Sequence, residues 1–300
     1  MDNYTDETKI FLDDRFDQDV DGIYYAHQPI YGYRSKYSSG SDIGRYMLTR
    51  SILDTLSNYS FSTFIDIGGA EGYTANLVRK FFNAKVTSTD LSEMACRRAK
   101  EIYDIDAVAC DIHSLPFPDN SFDVVLCSET IEHVSDYKAA IEELLRITRN
   151  VLVITVPHES PEEVAANIRN KVPHGHINYF DTTTLDYLKD RLIRLKFERT
   201  LSPILVFPRV IVEARKKDKP GVLFKFYNSF IPVLNRLFGV NSAVRLSNSD
   251  RWFCKTFGSY RGITFTLEKS APTYNTQKKP RINTAEFIDD KVPYYRLSRK

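Results

Sequence analysis

The chain is 300 residues long, 42% hydrophobic and 27% charged, with a formal net charge of +2, the composition expected of an ordinary soluble globular protein. No apolar run approaches the roughly 18–20 residues of a membrane span, and the start, MDNYTDETKI, has no apolar signal core, so secretion is not expected. Four cysteines, Cys96, Cys110, Cys127 and Cys254, lack C-x-x-C spacing and point to a reduced, cytoplasmic compartment without disulfides.

The small net charge hides an asymmetry. Residues 1–214 hold 23 Lys/Arg against 33 Asp/Glu, a net of −10, and residues 215–300 hold 18 against 6, a net of +12. A basic third either faces solvent or meets an anionic partner: membrane headgroups, nucleic acid or a phosphorylated substrate.

Residues 1–21, with eight Asp/Glu against Lys9 and Arg15, read as a mobile or loosely docked arm. Residues 42–58 have helical periodicity, with Asp42 as the expected N-cap. Strands then follow at Thr63–Ile67, Lys85–Thr89, Ala107–Ala109, Asp123–Ser128 and Asn150–Val156, with helical patterns near 73–82, 92–103 and 136–149. This alternation implies an α/β fold, a doubly wound and mostly parallel sheet with helices on both faces. A helix is expected at 182–196, and 221–239 is an aromatic-rich amphipathic segment broken by Pro232. The last sheet strand is either Arg209–Arg215 or Tyr260–Glu268, and the second is preferred. The expected division is 1–41, an acidic arm and substrate-side segment; 42–269, the main domain, with 216–259 as an insertion or cap; and 270–300, a basic irregular tail.

In such sheets ligands sit beyond the carboxyl ends of the strands. The first of these ends carries DIGGAEGY, residues 66–73. Glycines between a strand and a helix let backbone approach a ligand closely, and the helix N-terminal N–H groups point at its polar atoms. Asp90 ends the next strand, 24 positions beyond Asp66, where an acid can accept from both hydroxyls of a ribose; capping of the following helix is the competing role, for which Ser92 also stands. Asp111 ends the third strand, able to accept from an adenine amine with Ile112 against the ring. A nicotinamide enzyme wants G-x-G-x-x-G; here the pattern is D-x-G-x-A-x-G.

FIDIGGAEGYT, TSTD and ACDIHSLPFPDNSFDVVLCSETIEHV together resemble the class I S-adenosylmethionine-dependent methyltransferases, over about residues 60–215. The resemblance implies a seven-stranded Rossmann-like sheet and S-adenosylmethionine as cofactor. Asp66, Gly68, Gly69, Ala70 and Gly72 would line its methionine part. Asp90 and Leu91 would hold the ribose, Asp111 and Ile112 the adenine, and Ser128 and Glu129 would lie near the sulfonium. Ala70 departs from the family, where many members have glycine.

In CSETIEHV, Glu129, Glu132 and His133 are spaced i, i+3, i+4 and project to one face of a helical turn. Two carboxylates and an imidazole there suit a divalent metal such as Mg or Mn, with His174 or His176 of the later VPHGHINYF run available as a further ligand; packing and solvation explain the same residues without one. The cluster resembles two metal-using branches of the family: the ubiquinone-pathway O-methyltransferases, which carry E-x-x-E-H, and the small-RNA 2′-O-methyltransferases, which add a histidine four residues before an aromatic, as His176 precedes Phe180. The metal expectation is Glu129, Glu132, His133 and His176. Without metal, His133 or His176 serves as general base. Both readings point to an oxygen acceptor: a small molecule, a sugar or a lipid-linked saccharide, with 221–239 as a cap over the pocket or a peripheral membrane contact, and Tyr31, Tyr33 and Arg34 near the acceptor. The alternatives are 2′-O-methylation of RNA and a non-catalytic cofactor-binding module.

Overall fold

The computed structural model describes residues 3–20, 23–24, 41–203 and 241–275. An N-terminal helix α1 (Asn3–Asp17) precedes a short antiparallel pair, β1 (Asp19–Val20) and β2 (Ile23–Tyr24), and helix α2 (Ser41–Leu56). Alternation then sets in: β3 (Thr63–Ile67), α3 (Tyr73–Phe82), β4 (Lys85–Asp90), α4 (Glu93–Tyr103), β5 (Asp106–Ala109), β6 (Phe122–Ser128), α5 (Tyr137–Ile147) and β7 (Thr148–Pro157). Helix α6 (Pro161–Arg169), strand β8 (Arg194–Thr200), helix α7 (Asn241–Phe257) and strand β9 (Gly262–Glu268) complete the described elements.

The seven-stranded sheet runs β5-β4-β3-β6-β7-β9-β8. Strands β3 to β7 pair in parallel, and β9 lies antiparallel between β7 and β8. Strand order reverses between β3 and β6, which opens a crevice at their carboxyl ends. The central strands are buried on both faces. Phe64, Val124, Leu126, Val151 and Val153 point into one apolar cluster with α2 and α3, while their neighbours Ile65, Val125, Cys127, Leu152 and Ile154 point into a second cluster with α5 and β9. That alternation is the pleat of a strand covered on both sides.

The strand read over Tyr260–Glu268 is β9. The expected helix at 182–196 is not formed: Asp186–Arg191 make a 3-10 turn, and Arg194 onward pairs with β9 from Arg194↔Glu268 to Thr200↔Gly262. Pairing to a partner far along the chain overrides the local helical spacing, and Arg194, Lys196 and Arg199 supply the charge that keeps an edge strand from pairing further. Helix α2 begins at Ser41, so Asp42 is its second residue rather than its cap.

The N-terminal segment is a docked helix rather than a loose arm. Asp13 Oδ1 accepts from Ser92 Oγ at 2.6 Å and from Met94 N at 3.3 Å, Lys9 bridges Asp13 and Glu93, and Phe16 is buried against Ala95. Residues 209–215, 221–239, 276–300 and Tyr31, Tyr33 and Arg34 lie outside the described residues. Among the described residues, no helix is long and apolar enough to cross a membrane.

Candidate functional site

A cavity of about 400 Å³ opens over the carboxyl ends of β3, β4 and β6, and α1 and α2 form its outer wall. Asp66, Gly68, Gly69, Ala70, Asp90, Leu91, Asp111, Ile112, Ser128, Glu129 and His133 all line it. Gly72, Glu132 and His176 do not.

The glycine loop is left-handed at three positions: Gly68 (φ 70°), Ala70 (φ 47°) and Gly72 (φ 78°). At Gly68 a Cβ would sit 2.2 Å from Thr130 Oγ1, so both the backbone and the space demand glycine. Ala70 holds the same region at a cost. Its N–H donates to Asp90 Oδ2 at 2.9 Å, and Ser92 N donates to Asp90 Oδ1 at 2.9 Å. Ser92 itself caps α4, accepting from Ala95 N at 3.1 Å. Asp90 is thereby free of capping and ties the loop to the next strand end. Glu71 adds a buried ion pair to Arg98 at 3.1 Å, a support the sequence spacing does not announce.

Burial, followed by the nearby Asp90 charge, pushes the Asp66 carboxyl up to about 7. Burial likewise pushes Asp90 up to about 6, against the backbone N–H bonds it receives. Asp111 Oδ1 accepts from His113 N at 2.9 Å and from His113 Nδ1 at 2.7 Å, and Ile112 beside it is buried. These groups place three carboxylates and an apolar surface along one side of the cavity.

The other side is built by β6, β7 and the segment after α6. Glu129 is left-handed (φ 51°), donates its N–H to Thr155 O at 2.9 Å, and accepts from Thr155 Oγ1 at 3.2 Å. Burial lifts its carboxyl to about 7, against Thr155 and the nearby His176. Glu132 is 1% exposed, and neither of its carboxylate oxygens has a hydrogen-bond partner. Burial and the Glu129 charge hold that carboxyl well above its ordinary range.

Residues 174–178 are stapled over this turn. Ile177 N and Asn178 N donate to Glu132 O at 2.8 and 3.1 Å, and Asn178 Nδ2 donates to Ile131 O and Val134 O. His133 Nδ1 donates to Gly175 O at 3.2 Å, and His176 Nδ1 donates to Glu159 Oε2 at 2.6 Å. A carbonyl or carboxylate only accepts, so each ring carries a proton on Nδ1, which leaves Nε2 as the lone-pair atom of the neutral ring. The His133 ring stacks on His174 at 3.8 Å and meets His176 edge-on at 4.7 Å. Burial, then His174 and His176, push His133 down to about 3; burial, then the Arg15 charge, push His174 down to about 4. The His133 and His174 rings are therefore neutral near pH 7.

Ligand atoms of Glu132, His133 and His176 lie within 4.8 Å of one another. Glu129, the fourth expected ligand, is not part of that group. The donor set fits a divalent ion: an orphaned buried carboxylate beside two imidazoles whose rings are oriented by partners on Nδ1. Two imidazoles and a carboxylate suit Mn or a later transition metal better than Mg. Glu159 and Asn178 were not legible as site residues, because their role is to orient others from distant positions.

Residues 65–152 match the family model described as a methyltransferase domain. Over 89 residues the chain is 34% identical to a malonyl-[acyl-carrier protein] O-methyltransferase of Halorhodospira halophila, covering 28% of this chain and 30% of that protein. It is 36% identical over 86 residues to a mitochondrial arginine-hydroxylase of Rattus norvegicus, covering 28% of this chain and 25% of that protein. The chain thus spans less than a third of either curated relative. A solved structure of geranyl diphosphate C-methyltransferase from Streptomyces coelicolor A3(2), in complex with Mg2+, geranyl-S-thiolodiphosphate and S-adenosyl-L-homocysteine, shares the fold with a TM-score of 0.55 at 16% identity, covering 90% of this chain and 99% of that one. Residues 65–152 are thus similar to a methyltransferase domain, and the likeness to the solved structure shows the shared fold.

Proposed function

We propose that the protein transfers a methyl group to an oxygen of a small-molecule, sugar or lipid-linked saccharide acceptor. S-adenosylmethionine supplies an electrophilic methyl carbon on a sulfonium. The glycine loop, with Asp66 beside it, holds the amino-acid end. Asp90 accepts from the ribose hydroxyls, and Asp111 and Ile112 hold the adenine. Ser128 and Glu129 lie at the end of β6, where the reacting carbon would sit.

The observation that carries the oxygen reading is the stacked, neutral His133 and His174 pair beside Glu129 and Glu132 at the end of β6. A hydroxyl is a weak nucleophile until its proton leaves, and His133, a neutral imidazole, lines the cavity. As the acceptor oxygen bonds the methyl carbon, the carbon–sulfur bond breaks, its electron pair stays on sulfur, and the hydroxyl proton passes to the imidazole. Alignment of the acceptor by the cavity wall supplies the rest. A divalent ion, held by Glu132, His133 and His176, would lower the pKa of an acceptor oxygen; with it bound, those residues orient rather than take the proton. The same cluster also serves the second reading, 2′-O-methylation of RNA, which steeply salt-dependent binding would reveal.

The test is elemental analysis of the full chain after incubation with divalent metals and desalting, with Glu132→Ala beside it, followed by transfer of labelled methyl to a panel of hydroxyl acceptors. About one ion per chain, lost in the variant, supports the metal-assisted form. No retained ion moves the role to His133 and His176 as bases. Label appearing only on nitrogen or carbon overturns the oxygen reading.

A further inference from the structure

Helix α1 is acid-rich, and its two cations behave differently. Lys9 is paired with Asp13 and Glu93. Arg15 takes part in no ion pair or hydrogen bond among the described residues, although Asp14, Asp17 and Asp13 are close in sequence. It lines the cavity instead.

Two stripes of α1 face different parts of that cavity. Leu12 and Phe16 pack at Ala70, Met94 and Ala95, over the glycine loop. Phe11 and Arg15, one turn apart on the neighbouring stripe, face the histidines: the Phe11 ring lies 6.0 Å from that of His174, and the Arg15 charge is felt at His174. Helix α1 is anchored through Asp13, which is bonded to Ser92 and Met94. Arg15 is thus a positioned cation on the acceptor side of the cavity. The remaining wall is hostile to an anion, since Asp66, Asp90, Asp111 and Glu129 line it; beside the histidines, its cations are Arg15 and Arg45 of α2.

We propose that Arg15 binds an anionic group of the methyl acceptor, a carboxylate or a phosphate, and so selects acidic acceptors. This rests on the methyltransferase reading. A guanidinium presents a planar fork that matches the paired oxygens of either group, and such charge-assisted pairs are about twice as strong as neutral ones. The anion would sit next to His174 and within reach of the proton acceptors at the end of β6, which fixes the hydroxyl to be methylated close to the charged group.

The test uses the full chain saturated with S-adenosylhomocysteine, titrated calorimetrically with inorganic phosphate and, separately, with acetate. The expected result is one saturable site for at least one of the two anions, and the anion that binds identifies the acceptor class. Arg15→Gln weakens that binding about 10-fold or more, Arg15→Lys falls between, and affinity for S-adenosylhomocysteine stays within about twofold in both. Absence of any site for either anion, or equal binding by wild type and Arg15→Gln, overturns the proposal. So does a loss of S-adenosylhomocysteine affinity in Arg15→Gln with unchanged affinity for 5′-methylthioadenosine, which lacks the amino-acid end; Arg15 would then hold the cofactor's own carboxylate. If the wild type binds no S-adenosylhomocysteine, the methyltransferase reading fails on its own, and the anion titration without it still reports on Arg15.

Discussion

Glu159 Oε2 accepts the Nδ1 proton of His176 at 2.6 Å. That bond fixes the ring of His176, a member of the group it forms with Glu132 and His133. Glu159→Gln keeps the shape but weakens the acceptor. The variant is expected to lose about 10–100-fold in divalent-ion affinity, read by elemental analysis or by competition with a chelator, while S-adenosylhomocysteine binding is unchanged. Equal ion retention in wild type and variant would count against a supporting role for Glu159.

Asp90 joins the glycine loop to α4 through Ala70 N and Ser92 N. Asp90→Ala removes both of these bonds and the proposed ribose contact. Bonds to charged groups are each worth about 1.5–3 kcal/mol, so the variant is expected to bind S-adenosylhomocysteine at least about 10-fold more weakly by calorimetry. An unchanged affinity would move the cofactor away from this strand end.

Gly68 and Ala70 predict opposite outcomes for one methyl group. Gly68→Ala places a Cβ 2.2 Å from Thr130 Oγ1 in a left-handed residue, which costs about 1–3 kcal/mol in strain and distorts the loop; the unfolding midpoint and cofactor affinity both fall. Ala70→Gly relieves the left-handed alanine, worth about 1–2 kcal/mol, and gives back about 0.5–1 kcal/mol in chain entropy. Its midpoint is expected to be equal or slightly higher, with cofactor affinity retained.

Asp66 titrates near 7 in the folded chain and near about 3.9 unfolded. The folded state therefore holds the proton more tightly. Its contribution to stability is complete below about pH 4 and is lost as pH rises toward 7. Asp90, pushed to about 6, adds to the same window. The ligand-free protein is expected to lose about 5 °C or more of unfolding midpoint between pH 5 and 7.5. Asp66→Asn should flatten that slope; an unchanged slope in the variant would assign it to other groups.

The parts of the fold visible in the sequence were those written locally. The five parallel strands and the loop between β3 and α3 depend on short apolar runs, glycines and acids within a few residues of one another, and the structure forms them at those positions. Strand β8 was hidden because its identity comes from pairing with β9. Helix α1 was hidden because it is mostly polar and is held by Asp13, Lys9 and Phe16 rather than by a long apolar face. The same holds at the site. Glu129, Glu132 and His133 could be found by spacing, but Glu159, Asn178 and Arg98 act on them or on the loop from elsewhere in the chain, and only the fold brings them there.

The most direct test of the account is to incubate the protein with S-adenosylmethionine carrying a carbon-13 methyl group, together with hydroxyl acceptors that bear a carboxylate or phosphate, and to locate the label by NMR. The account predicts a methoxy signal, formed by the wild type and strongly reduced in His133→Ala and Asp90→Ala. A label on carbon or nitrogen would contradict the oxygen reading, and no transfer from a protein that does not bind S-adenosylhomocysteine would contradict the methyltransferase function itself.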